Sequence, residues 1–132
     1  MSGQNTAVVT IAPPDGIVQN ALGYGAIVSF FATQTRDLGQ ATDELIRDLR
    51  SHDTEMQIAS DTRRSASLED SQGLVTMLAS KSPYQGQYEQ DMLLTVLRPG
   101  GVFYVVFVAP VLDFPQVQDT FNEMMRSVRF SN

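Results

Sequence analysis

Hydrophobic residues along this chain follow two rhythms, and the switches between them mark its elements. Residues 7–12 are a short β-branched run stopped by Pro13, Pro14, Asp15 and Gly16, because proline cannot donate to a ladder and Asp-Gly suits a turn. Residues 23–31 are apolar on both parities, as in a strand covered on both faces. From Asp37 onward Leu38, Ala41, Leu45, Ile46 and Leu49 recur at helical spacing, with Asp43, Glu44, Arg47, Asp48 and Arg50 on the other side. This predicts an amphipathic helix that opens on a capping box of Asp37 and Gln40 and ends near residues 51–53.

Residues 56–60 alternate in the strand manner, and the turn residues 69–73 lead into residues 74–79, which predicts a hairpin. A polar loop over 81–87 then separates this pair from a strand over 92–97. Arg98, Pro99, Gly100 and Gly101 make the next turn, and residues 102–108 form the most apolar stretch of the chain, the candidate for the sheet centre. A last helix starts at Asp113, with Gln116 three residues on and Pro115 in the first turn. Its buried face is Phe114, Val117, Phe121, Met124, Met125 and Val128. The order strand, strand, helix, four strands, helix defines an α+β domain: an antiparallel sheet of about six strands with two helices packed on it. No repeat or linker divides residues 1–132, so they are expected to form a single domain.

Composition narrows the functions. At 132 residues, 42% apolar and 18% charged, the chain has the balance of a globular domain able to bury its own core. It has no cysteine, which removes disulfides, thiolate metal sites and a cysteine nucleophile together. Fifteen acidic against nine basic residues give a net charge of −6, a field that repels phosphate backbones; Arg63 and Arg64, the one adjacent basic pair, make no binding stripe, so nucleic acid is not an expected partner. No apolar run approaches the roughly 20 residues that cross a bilayer, so this segment is not expected to insert in a membrane.

Candidate chemistry is sparse. The single histidine, His52, stands beside Asp53 and Glu55, crowded at a helix exit rather than spaced i, i+4 to converge on a metal, and no Gly-x-Ser-x-Gly elbow presents a serine to it. The pairs Asp43/Glu44 and Glu69/Asp70 are sequence neighbours that do not face each other as a dyad. Gly23, Tyr24 and Gly25 lack the third glycine of a dinucleotide fingerprint and read instead as a strand that must pass close to a neighbour. Met124 and Met125 are core filling on a helix face. These absences lead to the expectation of no catalytic residue, metal or cofactor. What remains is the loop with Tyr84 and Tyr88, since tyrosine gives binding surfaces contact area at little entropic cost. Two readings follow: a binding or regulatory module that holds a protein partner by a sheet edge or by Tyr84 and Tyr88, or a small-molecule-binding domain or cryptic enzyme with a pocket between sheet and helix near His52 or the strand glycines.

The whole pattern also resembles the PsbP-like fold and, within it, the small C-terminal domain of some bacterial zinc metallopeptidases. The resemblance rests on residues 10–16, on residues 98–104 with Phe107, Val108, Ala109 and Pro110, and on residues 121–130. These are turn, strand and helix-core positions. The peptidase signature His-Glu-x-x-His is missing, so no catalytic role carries over to a residue of this chain. The resemblance implies a non-catalytic appendage of a larger exported bacterial protein, extracytoplasmic (periplasmic) in location, with the parent's signal or membrane segment upstream. Its partner would then be another protein or its own parent chain.

Overall fold

The computed structural model describes residues 8–14, 16–18, 21–58, 63–68, 71–84 and 86–130. Among them run β1 (Val9–Ile11), β2 (Ile17–Val18), β3 (Ala21–Leu22), β4 (Gly25–Ala32), α1 (Leu38–His52), β5 (Gln57–Ile58), β6 (Arg64–Ser67), β7 (Gln72–Lys81), β8 (Tyr88–Arg98), β9 (Gly101–Pro110) and α2 (Phe114–Arg126). Seven strands form one antiparallel sheet in the order β1-β4-β9-β8-β7-β5, with β6 sharing the outer edge of β7, while β2 and β3 pair separately.

The apolar run over 102–108 lies inside the sheet, as its lack of a polar face requires. Val105 stands between Val28 of β4 and Leu94 of β8. Alternation along β9 divides the core in two. Val102, Val106 and Val108 join Leu78, Leu93 and the α1 residues Ala41, Leu45 and Ile46 on one face. Val105, Phe107 and Ala109 join Val75, Met92, Leu94 and the α2 residues Phe114, Phe121 and Met125 on the other. The domain is therefore three layers, helix on sheet on helix. Phe121 anchors α2, its ring centroid 5.1 Å from Phe107 and 5.7 Å from Phe114. On the opposite face the buried hydroxyls of Thr42 and Thr95 meet at 2.8 Å, so the polar positions that face each other there satisfy one another.

Local chemistry accounts for the boundaries. Asp37 caps α1 by accepting from the Gln40 N–H at 2.9 Å. Gly100, at φ 85°, turns β8 into β9. Three expectations need correction. The strand expected over 23–31 begins only at Gly25, after a bend at Gly23 and Tyr24. The antiparallel sheet of about six strands with two helices is as expected, but the sequence assigned no strand to residues 64–67, where β6 buries only Ala66 and so shows no apolar alternation. Asp113 makes no side-chain cap bond to α2; its own N–H binds the Pro110 carbonyl at 2.9 Å instead. Ala7, Asp15, residues 59–60, the Glu69/Asp70 pair and Gln85, to which the sequence also assigned strand, turn or loop roles, lie outside the described residues.

Phe107 is buried between β4, β8 and α2, so Phe107→Ala is expected to lower stability by about 3–5 kcal/mol in urea unfolding. A loss under about 1 kcal/mol would contradict the two-sided core.

Candidate functional site

One end of the sheet gathers three tyrosines, Tyr24, Tyr84 and Tyr88. β7 ends at Lys81 and β8 begins at Tyr88, and the loop between them closes on itself: Ser82 N–H to Gln87 O at 3.1 Å, Gln87 N–H to Tyr84 O at 3.1 Å, and Tyr84 N–H to Ser82 Oγ at 3.1 Å. Gly86 supplies the positive φ of 77° that this turn needs. The Tyr84 ring then lies across Gly23, where a Cβ would fall 2.6 Å from Tyr84 Cε2. Only glycine permits that approach. Gly23 and Tyr24 are themselves pinned by N–H bonds to the Gly16 carbonyl at 2.7 and 3.2 Å.

Where β9 ends, Pro110 and Asp113 complete the wall. The result is a cleft of about 470 Å³ lined by Pro13, Tyr24, Tyr84, Gln87, Pro110 and Asp113. Burial, and secondarily the nearby Asp113 charge, push the Tyr24 phenol above its ordinary value, so it stays a protonated donor through the physiological range. Asp113 is the helix-start residue whose side chain makes no cap bond, and it lines this cleft close enough for its charge to act on Tyr24.

Tyr84 is half-buried, whereas Tyr88 is 63% exposed and is the first residue of β8 rather than a loop residue. The two are not brought into one pocket. Tyr88 borders a separate depression of about 300 Å³ with Glu55, Gln57, Ala79, Ser80 and Lys81. Its carbonyl accepts from Val111 N–H at 2.8 Å, which places it beside the exposed turn residues Val111 and Leu112. Tyr24 escaped the sequence reading, although Gly23 carried its signal: the neighbour that glycine passes closely is the Tyr84 ring.

Two depressions are larger but less convergent. That of about 680 Å³ beside Arg36 and Arg98 has its Arg98 guanidinium stacked 4.2 Å over Phe130, and its Thr33 and Thr35 hydroxyls donate to Glu44. Those two bonds are also what lowers the Glu44 pKa. The other, about 600 Å³, is an open groove along Asp43, Ile46, Arg47 and Arg50 with Ile58. His52 is exposed at the end of α1, its Nδ1 2.9 Å from the Asp48 carbonyl. Among the described residues no three His, Asp or Glu side chains are grouped to hold a metal.

A buried carboxyl pair is the main electrostatic feature that sequence reading missed. Glu89 and Asp91, two apart on β8, share the α1 face beside Val108 and Leu78. Next to them Asp53, which caps the C-terminus of α1, accepts from the Ser80 hydroxyl at 2.6 Å. Asp91 is pushed well above the ordinary carboxylate range, first by burial, then by its hydrogen bond with Glu89 and by the Glu89 and Asp53 charges. Glu89 is raised too, chiefly by burial, although its bond with Asp91 works in the opposite direction. Asp91 therefore holds the proton and donates it to Glu89, while its Oδ1 has no partner. Both are buried, Asp91 at 2% exposure and Glu89 at 7%, so their ionisation is coupled to the stability of the fold.

The fold is thus of the α+β class, an antiparallel sheet with a helix on each face. A solved structure shares it: a Pseudomonas aeruginosa protein of unknown function, PA94, described as a candidate regulator, superposes with a TM-score of 0.66 at 9% identity, over 96% of this chain and 83% of that one. No protein-family model matches the chain, and no curated protein does.

A group whose folded pKa is raised stabilises the fold fully below its unfolded pKa and loses that contribution as pH climbs through the folded value. The contribution of Glu89 and Asp91 is therefore expected to fall as pH rises from about 4 toward neutrality. Asp91→Asn keeps a donor for Glu89 and removes the proton, so its melting temperature should gain on that of the natural protein as pH rises. A difference constant from pH 4.5 to 7.5 would contradict the shared proton. His52→Ala, at an exposed helix end, should change stability by less than about 0.5 kcal/mol in the same melts.

Proposed function

We propose that this domain is a non-catalytic binding module whose contact surface is the sheet end built from Tyr24, Tyr84 and Tyr88. The observation that carries the reading is the cleft in which two tyrosines, two prolines, Gln87 and Asp113 converge. Aromatic faces with a few placed polar groups are the composition of a recognition pocket. The rim agrees, since Leu112 is 84% exposed beside Val111 and Tyr88, and exposed apolar side chains grouped at one place are repaid only when a partner covers them. The loop is held in shape before any partner arrives, which lowers the entropy cost of binding. A role as an appendage of a larger exported bacterial protein, such as a metallopeptidase, is supported by the resemblance of its turn, strand and helix-core residues.

The test is selection of binders from a random peptide library, followed by amide chemical-shift mapping on the whole chain. Shifts are expected at Tyr24, residues 82–88 and residues 110–113. Replacing Tyr84 and Tyr88 together by Ser should weaken selected peptides by about 1–3 kcal/mol with the melting curve retained. Binders that map to the outer face of α1, or that ignore the double substitution, would refute the assignment.

A further inference from the structure

We infer that the cleft between Tyr24 and Tyr84 takes an extended, proline-containing peptide segment that carries an arginine or lysine next to its prolines. The inference rests on the reading of this sheet end as the contact surface and adds the chemistry of its occupant.

The walls decide the backbone form. An added β-strand needs a row of free N–H and C=O groups. Pro13 and Pro110 have no N–H, and their carbonyls already accept from Gly16 N–H and Asp113 N–H at 2.9 Å each. The cleft cannot offer a ladder at those positions and must read its ligand with side chains. A polyproline II segment has no internal hydrogen bonds and presents pyrrolidine ridges alternating with open carbonyls. Aromatic and proline faces suit the ridges, and the Gln87 amide and the Tyr24 hydroxyl are donors suited to the carbonyls.

Charge decides the flanking residue. Among the described residues Asp113 is the one charged side chain lining the cleft, on a chain of net charge −6. Its carboxylate makes no cap bond to α2. A cation on the ligand would complete it with a charge-assisted hydrogen bond.

The experiment titrates the whole chain with three synthetic decapeptides: one with a Pro-Pro-x-Pro core flanked by Arg, one with Glu in place of that Arg, and one with Ala in place of the prolines. The first should shift the amides of Tyr24, Tyr84, Gln87 and Asp113, and each of the others should bind at least about tenfold more weakly. Asp113→Asn should erase the preference for Arg over Glu without altering the melting curve, and Tyr84→Ala should weaken the first peptide about tenfold. Should Tyr84→Ala perturb the loop, Tyr24→Phe retains the ring and reports on the phenol donor by itself. Equal binding of all three peptides, or none at the cleft, overturns the inference. Library peptides that bind the cleft without proline overturn it too but leave the binding-module reading standing; failure of every peptide to touch the cleft sinks both.

Discussion

The rest of this structure depends on β9 being apolar on both faces. A strand with no side to offer water must be hydrogen-bonded on both edges and covered above and below. Val106 therefore needs α1, and Phe107 needs α2, on opposite sides of one sheet. Neither helix is sufficient alone, since removing either would expose half of the strands β4, β7, β8 and β9. The long β8–β9 hairpin, closed by the tight turn at Gly100, gives the sheet its centre from residues close in sequence.

How far this was legible from sequence differs by element. The α1 face of Leu38, Ala41, Leu45, Ile46 and Leu49, the α2 face of Phe114, Phe121 and Met125, and the central place of β9 all follow from periodicity, because burial on a helix or between sheets leaves that trace. β6 does not, since Arg64, Ser65 and Ser67 are exposed, and beyond Ala66 and a Gln72–Ser67 side-chain bond its pairing with β7 is made by backbone. The site was half legible. Tyr84 stands out by composition, but its meeting with Tyr24 requires two segments about sixty residues apart to converge over Gly23, and no local pattern encodes that convergence. Glu89 and Asp91 look like ordinary polar residues entering a strand, and only the register that turns them under α1 makes them unusual.

That carboxyl pair sits on the α1 face at the same end of the sheet as the tyrosines. It is a polar inclusion beside Leu78, Leu93 and Val108, and Asp91 Oδ1 has no hydrogen-bond partner there. The cleft end is thus tied to the least apolar part of the α1 core, while the Gly100 end closes on a tight turn and the Phe103–Phe130 edge contact at 5.0 Å.

A competing place for partners is the edge strand β1, where Val9 and Ile11 are exposed and one side of the backbone faces outward among the described residues. Three residues followed by Pro13 are a short template, and natural sheets blunt their edges in this way to keep other chains from adding on. The same prolines that stop the ladder there and at the end of β9 become walls at the cleft. Pro13 follows the end of β1, Pro110 ends β9, and both line the cleft with Tyr24 and Tyr84. Ending strands with proline thus does two things at this end of the sheet. It removes the backbone ladder at those positions, and under the proposed binding role it leaves recognition to aromatic faces, Gln87 and Asp113.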